Sequence, residues 1–163
     1  MGTALLVYVI VERLLELVIA RRNTQRLFAR GAQEAGASHY PFMVVLHAAW
    51  LMSILAWAVL ASPAVSVPFL VLFLALQGLR IWVMASLGPY WTTRIITLAD
   101  APLIKRGPYK FIRHPNYVVV VLEIATLPLV FGAWQIAAIF SVLNAAMLWV
   151  RIRAENRVLS ARS

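Results

Sequence analysis

The segment from Lys105 to Tyr117 gathers the side chains best suited to chemistry in this chain: Lys105, Arg106, Tyr109, Lys110, Arg113, His114, Asn116 and Tyr117, spaced by Gly107, Pro108 and Pro115. Each proline pushes the residue before it toward extended geometry, so the stretch reads as an elbow and not as a simple helix. His114 and Asn116 flank Pro115 where an apolar run begins, a placement that would present hydrogen-bonding groups to a small anionic or zwitterionic ligand. Farther along, Arg151 and Glu155 stand four apart and share a helix face. On composition the elbow is equally a ligand site or an interfacial turn. The Arg151/Glu155 pair shifts the balance, because a chain that folds back between 116 and 150 returns it to the face that holds His114 and makes two walls of one pocket. Several chemistries are excluded. There is no cysteine, so no disulfide, thiolate metal site or thiol nucleophile. Three histidines occur without an H-E-x-x-H pattern, and seven scattered glycines form neither a G-x-G-x-x-G nor a Walker loop.

Positioning such a pocket falls to elements that dissolve in lipid. Of 163 residues, 63% are apolar and 13% charged, with a mean hydropathy of +0.82; soluble domains run at about 45–50% and 25%. A bilayer core of ~30 Å takes roughly 20 helical residues. Gly2 to Ala20, Pro41 to Ala61 and Pro68 to about Leu87 have that length. No positive charge precedes the first, and Arg21 and Arg22 follow it, so it reads as a retained span and not as a leader. Asn116 to Val150 is too long for one crossing, and Pro128 and Gly132 near its middle predict a hairpin. The expectation is an all-α integral membrane protein of about five transmembrane helices, the last two as a hairpin, with a C-terminal cytoplasmic helix. It forms one membrane domain over 1–163, with a three-helix part at 1–87 and a second part at 88–163.

The formal charge of +9 would suggest nucleic acid in a soluble chain, but here its placement explains it. Thirteen of the fifteen basic residues fall in 21–40, 88–115 and the tail from Arg151 to Arg162, all on one side of a five-span chain. The positive-inside rule then sets the N-terminus outside and the C-terminus in the cytoplasm. Nucleic acid and metal are not expected partners.

Charges within the spans cost about 2.5–3.5 kcal/mol each and must face the bundle interior. Glu12, Arg13 and Glu16 on the first span would meet Arg80 and Glu123 on others, as packing pairs or as a polar path. His47 reads as an interhelical hydrogen bonder, and the six tryptophans as packing or interface anchors. The role of the 21–40 loop stays open.

Gly107-Pro108-Tyr109, then Arg113-His114-Pro115-Asn116-Tyr117, a hairpin, and Arg151-Ile152 with Glu155 together resemble the isoprenylcysteine carboxyl methyltransferase family of integral membrane enzymes, over about residues 88 to 160. Arg21-Arg22-Asn23 and the stretch from Ala29 to Pro41 resemble its bacterial branch associated with O-methylation of long-chain alkylpyrones and alkylresorcinols. The resemblance implies S-adenosylmethionine as cofactor, held without a Rossmann domain, and makes the 88–163 part a cofactor-binding module. It implies that Tyr109, His114 and Tyr117 line the cofactor pocket, that Arg113 and Pro115 shape it, and that Arg151 and Glu155 close it, Glu155 toward the cofactor's ammonium and Arg151 toward the acceptor oxygen. Arg151, Glu155 and His114 would then be the catalytic set. The family often carries a second glutamate after the first; Asn156 stands there, which removes one carboxylate.

The implied activity is O-methyl transfer to a lipophilic acceptor: an alkylpyrone, an alkylresorcinol or an isoprenylcysteine-like carboxylate. An enolate or carboxylate needs only an arginine to position it, whereas a phenol-like hydroxyl, of pKa near 10, needs His114 or Glu155 as base. Two other readings compete. Membrane reductases of the sterol-reductase type share a similar elbow and would use NADPH. A transporter subunit would use the intramembrane charges, and would gain from inverted repeats, of which the sequence carries none.

Overall fold

The computed structural model describes residues 2–99 and 104–160; the expectation for Arg162 lies outside the described residues. Five α-helices account for most of them: α1 (Gly2–Phe28), α2 (Tyr40–Ala61), α3 (Val67–Leu87), α4 (Pro115–Val130) and α5 (Trp134–Ser160). Proline opens three of them, at Pro41, Pro68 and Pro115, where the missing amide hydrogen bond is not required. Among the described residues three segments are long and apolar enough to cross a membrane: Ala37–Ala61, Val67–Tyr90 and Trp134–Val158. α1 has the length but carries Glu12, Arg13 and Glu16. α4, at 16 residues, spans only about 24 Å. The outer surface is apolar, with Leu15, Val45, Met52, Leu60 and Val142 more than half exposed, as a helix facing hydrocarbon requires.

The expected hairpin is present, and it turns at Gly132, one of the two residues expected to break the run. Pro128, the other, lies inside α4, and the chain reverses at Phe131-Gly132-Ala133, where Phe131 N and Ala133 N both donate to the Pro128 carbonyl at 3.0 Å. The C-terminal helix continues the last one, as α5 runs unbroken through Arg151 and Glu155. The fold is also not purely helical. β1 (Gln33–Ala35) and β2 (Ile95–Thr97) pair antiparallel, with Glu34 opposite Ile96.

α4 packs most extensively on α3 and α5, and the bundle has three levels. At one end Leu6, Val9, Trp50, Ile54, Phe73 and Leu127 belong to the apolar core. Two tryptophans close this end, Trp50 donating to the Ile124 carbonyl at 3.2 Å and Trp57 to that of Phe131 at 2.9 Å. In the middle lies the charge cluster. Arg13 pairs with Glu16 at 2.8 Å and with Glu123 at 3.2 Å; Arg80 bonds Glu16 at 3.2 Å and holds both oxygens of Glu123; Gln77 donates to Glu123 at 3.0 Å. These residues tie α1, α3 and α4 together. His47 departs from the interhelical expectation: its Nδ1 meets the Met43 carbonyl of its own helix at 2.8 Å. At the third level, where α1, α3 and α5 end and α4 begins, is a cleft.

Candidate active site

The cleft's first wall descends from α3. The chain leaves that helix through a 3-10 turn at Gly88–Tyr90 and runs through Trp91 to β2. Asn23 of α1, almost fully buried, fixes this exit by donating to the carbonyls of Gly88 at 3.1 Å and Trp91 at 2.9 Å. Beyond it β1 supports β2, and Arg94 Nη1 donates to both carboxylate oxygens of Glu34 at 2.8 Å while its guanidinium sits 4.2 Å over the Tyr40 ring. Tyr40 and Thr93 share a hydroxyl hydrogen bond at 3.0 Å. The 29–40 segment is therefore a buttress for this wall.

The second wall is the elbow. Arg106 Nε donates to the Ser86 carbonyl at 2.7 Å, docking the turn on the end of α3. Gly107 follows at φ 56°, and a Cβ there would strike the Ser86 hydroxyl, so both backbone sign and space require glycine. Residues 107–110 form a 3-10 turn that aims Tyr109 inward, and Pro115 starts α4.

α5 supplies the third wall. Tyr117 donates its hydroxyl to Glu155 Oε2 at 2.7 Å, and the same oxygen lies 3.4 Å from His114 Nδ1. His114 Nε2 meets Asn156 Oδ1 at 3.2 Å, and the His114 and Tyr117 rings stack with centroids 5.4 Å apart. Asn156 thus orients the imidazole from the position where the resembled family often has its second carboxylate. Arg151, buried, donates to the Thr93 carbonyl at 3.0 Å and lies 6.0 Å over the Tyr117 ring. It bridges the first and third walls.

The cleft so formed measures about 190 Å³ and is open on one side. Tyr109, Arg113, His114, Tyr117, Arg151 and Glu155 all line it. Pro115 does not; it is buried at the first turn of α4, where it sets the direction of its neighbours. Asn116, singled out with His114 in the sequence, lines the cleft as well, whereas Trp91, Arg94 and β2 were not foreseen as lining residues. The one signal available was that Trp91 falls within the same unusual polar loop. Two of these carry polar atoms that are buried and lack a hydrogen-bond partner among the described residues, Trp91 Nε1 and Asn116 Oδ1. A buried donor and a buried acceptor left open in one cleft are what a ligand would satisfy.

His114 has its pKa raised, foremost by the hydrogen bond with Glu155, which outweighs the opposing effect of burial. Burial pushes the Tyr109 phenol up, and Glu155 adds to it, so it stays protonated. Because the folded-state pKa of His114 is raised, its pairing contributes stability that is full below the unfolded value of about 6.5 and is lost as pH rises through the folded value. His114→Gln is accordingly expected to melt below wild type in mildly acidic detergent solution, by about 1–2 kcal/mol of stability, with the gap closing at alkaline pH. A gap independent of pH would contradict the pairing.

Glu34→Ala tests the buttress. Arg94 would lose its anchor while the ligand-facing groups remain, so ligand affinity should fall by up to about 5-fold, the range of a partly exposed ion pair, with melting little changed. A loss of a hundredfold would instead place Glu34 against the ligand.

A helical membrane bundle with a polar, arginine-rich cleft at one end defines the class of protein, and comparison with known proteins specifies it. Residues 69–161, more than half of the chain, match the isoprenylcysteine carboxyl methyltransferase (ICMT) family. The uncharacterized protein YpbQ of Bacillus subtilis is 40% identical over 98% of this chain and 96% of its own length. An uncharacterized protein of Haemophilus influenzae is 25% identical over 91% of this chain and 88% of its own. The chain belongs to the ICMT family and is a membrane methyltransferase.

Proposed function

We propose that this protein is an S-adenosylmethionine-dependent O-methyltransferase acting on a lipophilic acceptor that carries an ionisable oxygen. The observation that carries the reading is the convergence of His114, Tyr117, Arg151 and Glu155 on one cleft that also holds the unpaired Trp91 Nε1 and Asn116 Oδ1. These groups fit the cofactor. Glu155, held by Tyr117 and His114, is a carboxylate for its ammonium group; Arg113 or Arg94 is a partner for its carboxylate; Tyr109 and Trp91 offer aromatic faces, which attract cations. The indole N–H and the Asn116 carbonyl supply one donor and one acceptor. The bound cofactor supplies an electrophilic methyl on a sulfonium.

The remaining work is positional. In-line displacement needs the acceptor oxygen about 3–3.5 Å from the methyl carbon and water kept out. Arg151, buried and fixed to the Thr93 carbonyl, orients an anionic acceptor oxygen and needs no proton transfer when that oxygen is an enolate or a carboxylate. A phenol-like acceptor would need a base, and Glu155, held by Tyr117 and His114 and committed to the cofactor's ammonium group, is a weak one, so the geometry favours an acceptor oxygen that arrives ionised. His114 has both ring nitrogens engaged, with Glu155 and Asn156, and serves best to orient Glu155. We assign the cofactor module to 88–163, buttressed by 29–40, in a five-span bundle with its N-terminus outside. The basic cleft end then faces the cytoplasm, where the cofactor is dissolved, while the acceptor's tail stays in the bilayer.

Calorimetric titration of the detergent-purified protein with S-adenosylhomocysteine, the expected product, tests this, with NADPH as control. Saturable binding of S-adenosylhomocysteine alone is expected; binding of NADPH alone would replace the proposal with a reductase.

A further inference from the structure

α5 presents a second functional face. Arg151 and Glu155 point into the cleft, while Trp149, Arg153 and Arg157, spaced four apart along the helix, line a separate groove of about 440 Å³ against Ala35, Gly36, Ser38 and His39. Val158 is shared by the two. We propose that this groove binds the anionic headgroup of a membrane phospholipid, such as a phosphatidylglycerol.

Position, shape and charge carry the inference. The groove lies where one span-length segment begins, at Ala37, and another ends, at Val158, which is headgroup level for a bilayer crossed by both. Toward the bundle's middle its lining is apolar and exposed, Trp149 at 57% and Val150 at 41%, suited to the first carbons of an acyl chain. Toward the tail it is cationic. The Arg153 guanidinium lies 3.7 Å from the centre of the Trp149 ring, an arrangement that restrains a long side chain and keeps its N–H groups available for phosphate. Arg157 is exposed and has no ion-pair partner among the described residues. Among the described residues no carboxylate lines the groove, so the charge complementarity is to an anion. Its other wall is shaped for the space: Gly36 has φ 65°, and a Cβ there would collide with the His39 ring. A free phosphate would leave the apolar half unused. A methyl acceptor seated there would lie on the side of α5 away from Glu155. The inference is independent of the methyl-transfer reading.

The test is a titration of phosphatidylglycerol into the full-length protein in neutral detergent, followed by native mass spectrometry of retained lipid. Saturable retention by wild type is expected, with none for phosphatidylcholine and no competition from millimolar inorganic phosphate. Arg153→Gln with Arg157→Gln should weaken retention by roughly 10- to 30-fold, as for two headgroup-level charges. Arg21→Gln with Arg22→Gln, which removes the same charge elsewhere, should not. Equal loss in both double variants would reduce the effect to diffuse attraction and overturn the site, as would no loss in either. Competition by phosphate would overturn the lipid assignment, and recovery of a methylated lipid would make the groove a product site instead. Melting without lipid checks folding, and if the double variant does not fold, Arg157→Gln alone carries the comparison, since that side chain is exposed.

Discussion

Glu155→Gln is expected to weaken S-adenosylhomocysteine binding by about 10- to 100-fold and to lower methyl transfer at least as much, with the helical bundle intact. The substitution keeps the side chain's size and removes its charge. Glu155 Oε2 accepts from the Tyr117 hydroxyl at 2.7 Å and faces His114 Nδ1 at 3.4 Å, so one carboxylate organises two of the cleft's rings and would also meet a cationic ligand group. Hydrogen bonds to charged groups contribute about 1.5–3 kcal/mol each, which corresponds to the range given. Its side chain is 31% exposed and lies outside the apolar core, so the cost in stability should not exceed about 1–2 kcal/mol, the loss expected from the His114 pairing, and the protein stays folded while affinity falls. Titration calorimetry and a melting curve on the same preparation separate the two. Undiminished affinity would remove Glu155 from the site and with it the cofactor assignment built on it.

Arg80→Leu should show the opposite pattern: a loss of about 3–5 kcal/mol in stability, the cost of stranding a buried partner charge, with normal affinity in whatever fraction stays folded. Arg80 is 7% exposed and joins Glu16 to Glu123, itself 3% exposed. Its removal leaves Glu123 with Arg13 and Gln77 alone in an apolar surround. Replacing the pair together, Arg80→Met with Glu123→Leu, should restore most of the loss, because Arg13 keeps Glu16 as partner at 2.8 Å and an apolar pair fills the space without desolvating charge. Unfolding monitored in mixed micelles gives both numbers. A stable Arg80→Leu protein that has lost turnover would move the cluster from structure into function, the role a transporter reading gave it.

The two variants locate function at one end of the bundle and stability in its middle, a separation that follows from the order of residues along antiparallel helices. Glu16, Arg80 and Glu123 fall halfway along α1, α3 and α4. Asn23, Gly88, His114 and Glu155 fall at the ends that come together.

Much of this was legible in sequence because the relevant physics is local or nearly so. Apolar runs of span length, the price of charge in hydrocarbon and the geometry before proline depend on residues close in the chain, so the helices, the mutual need of Glu12, Glu16, Arg13, Arg80 and Glu123, the elbow and the i, i+4 pair of Arg151 and Glu155 could all be read there. What the tertiary structure alone decided depends on contacts across many residues. Three-residue strands have no readable period, so the pairing of Gln33–Ala35 with Ile95–Thr97, which makes the 29–40 loop a buttress, had no signature. The same holds for Asn23 as the clamp on Trp91, for Trp91 as an open hydrogen-bonding group, and for the groove on the far side of α5, each created by bringing distant segments within a few ångströms. His47 marks the boundary: lipid dictated that its ring find a hydrogen-bond partner, and packing left a carbonyl of its own helix, that of Met43, to supply one.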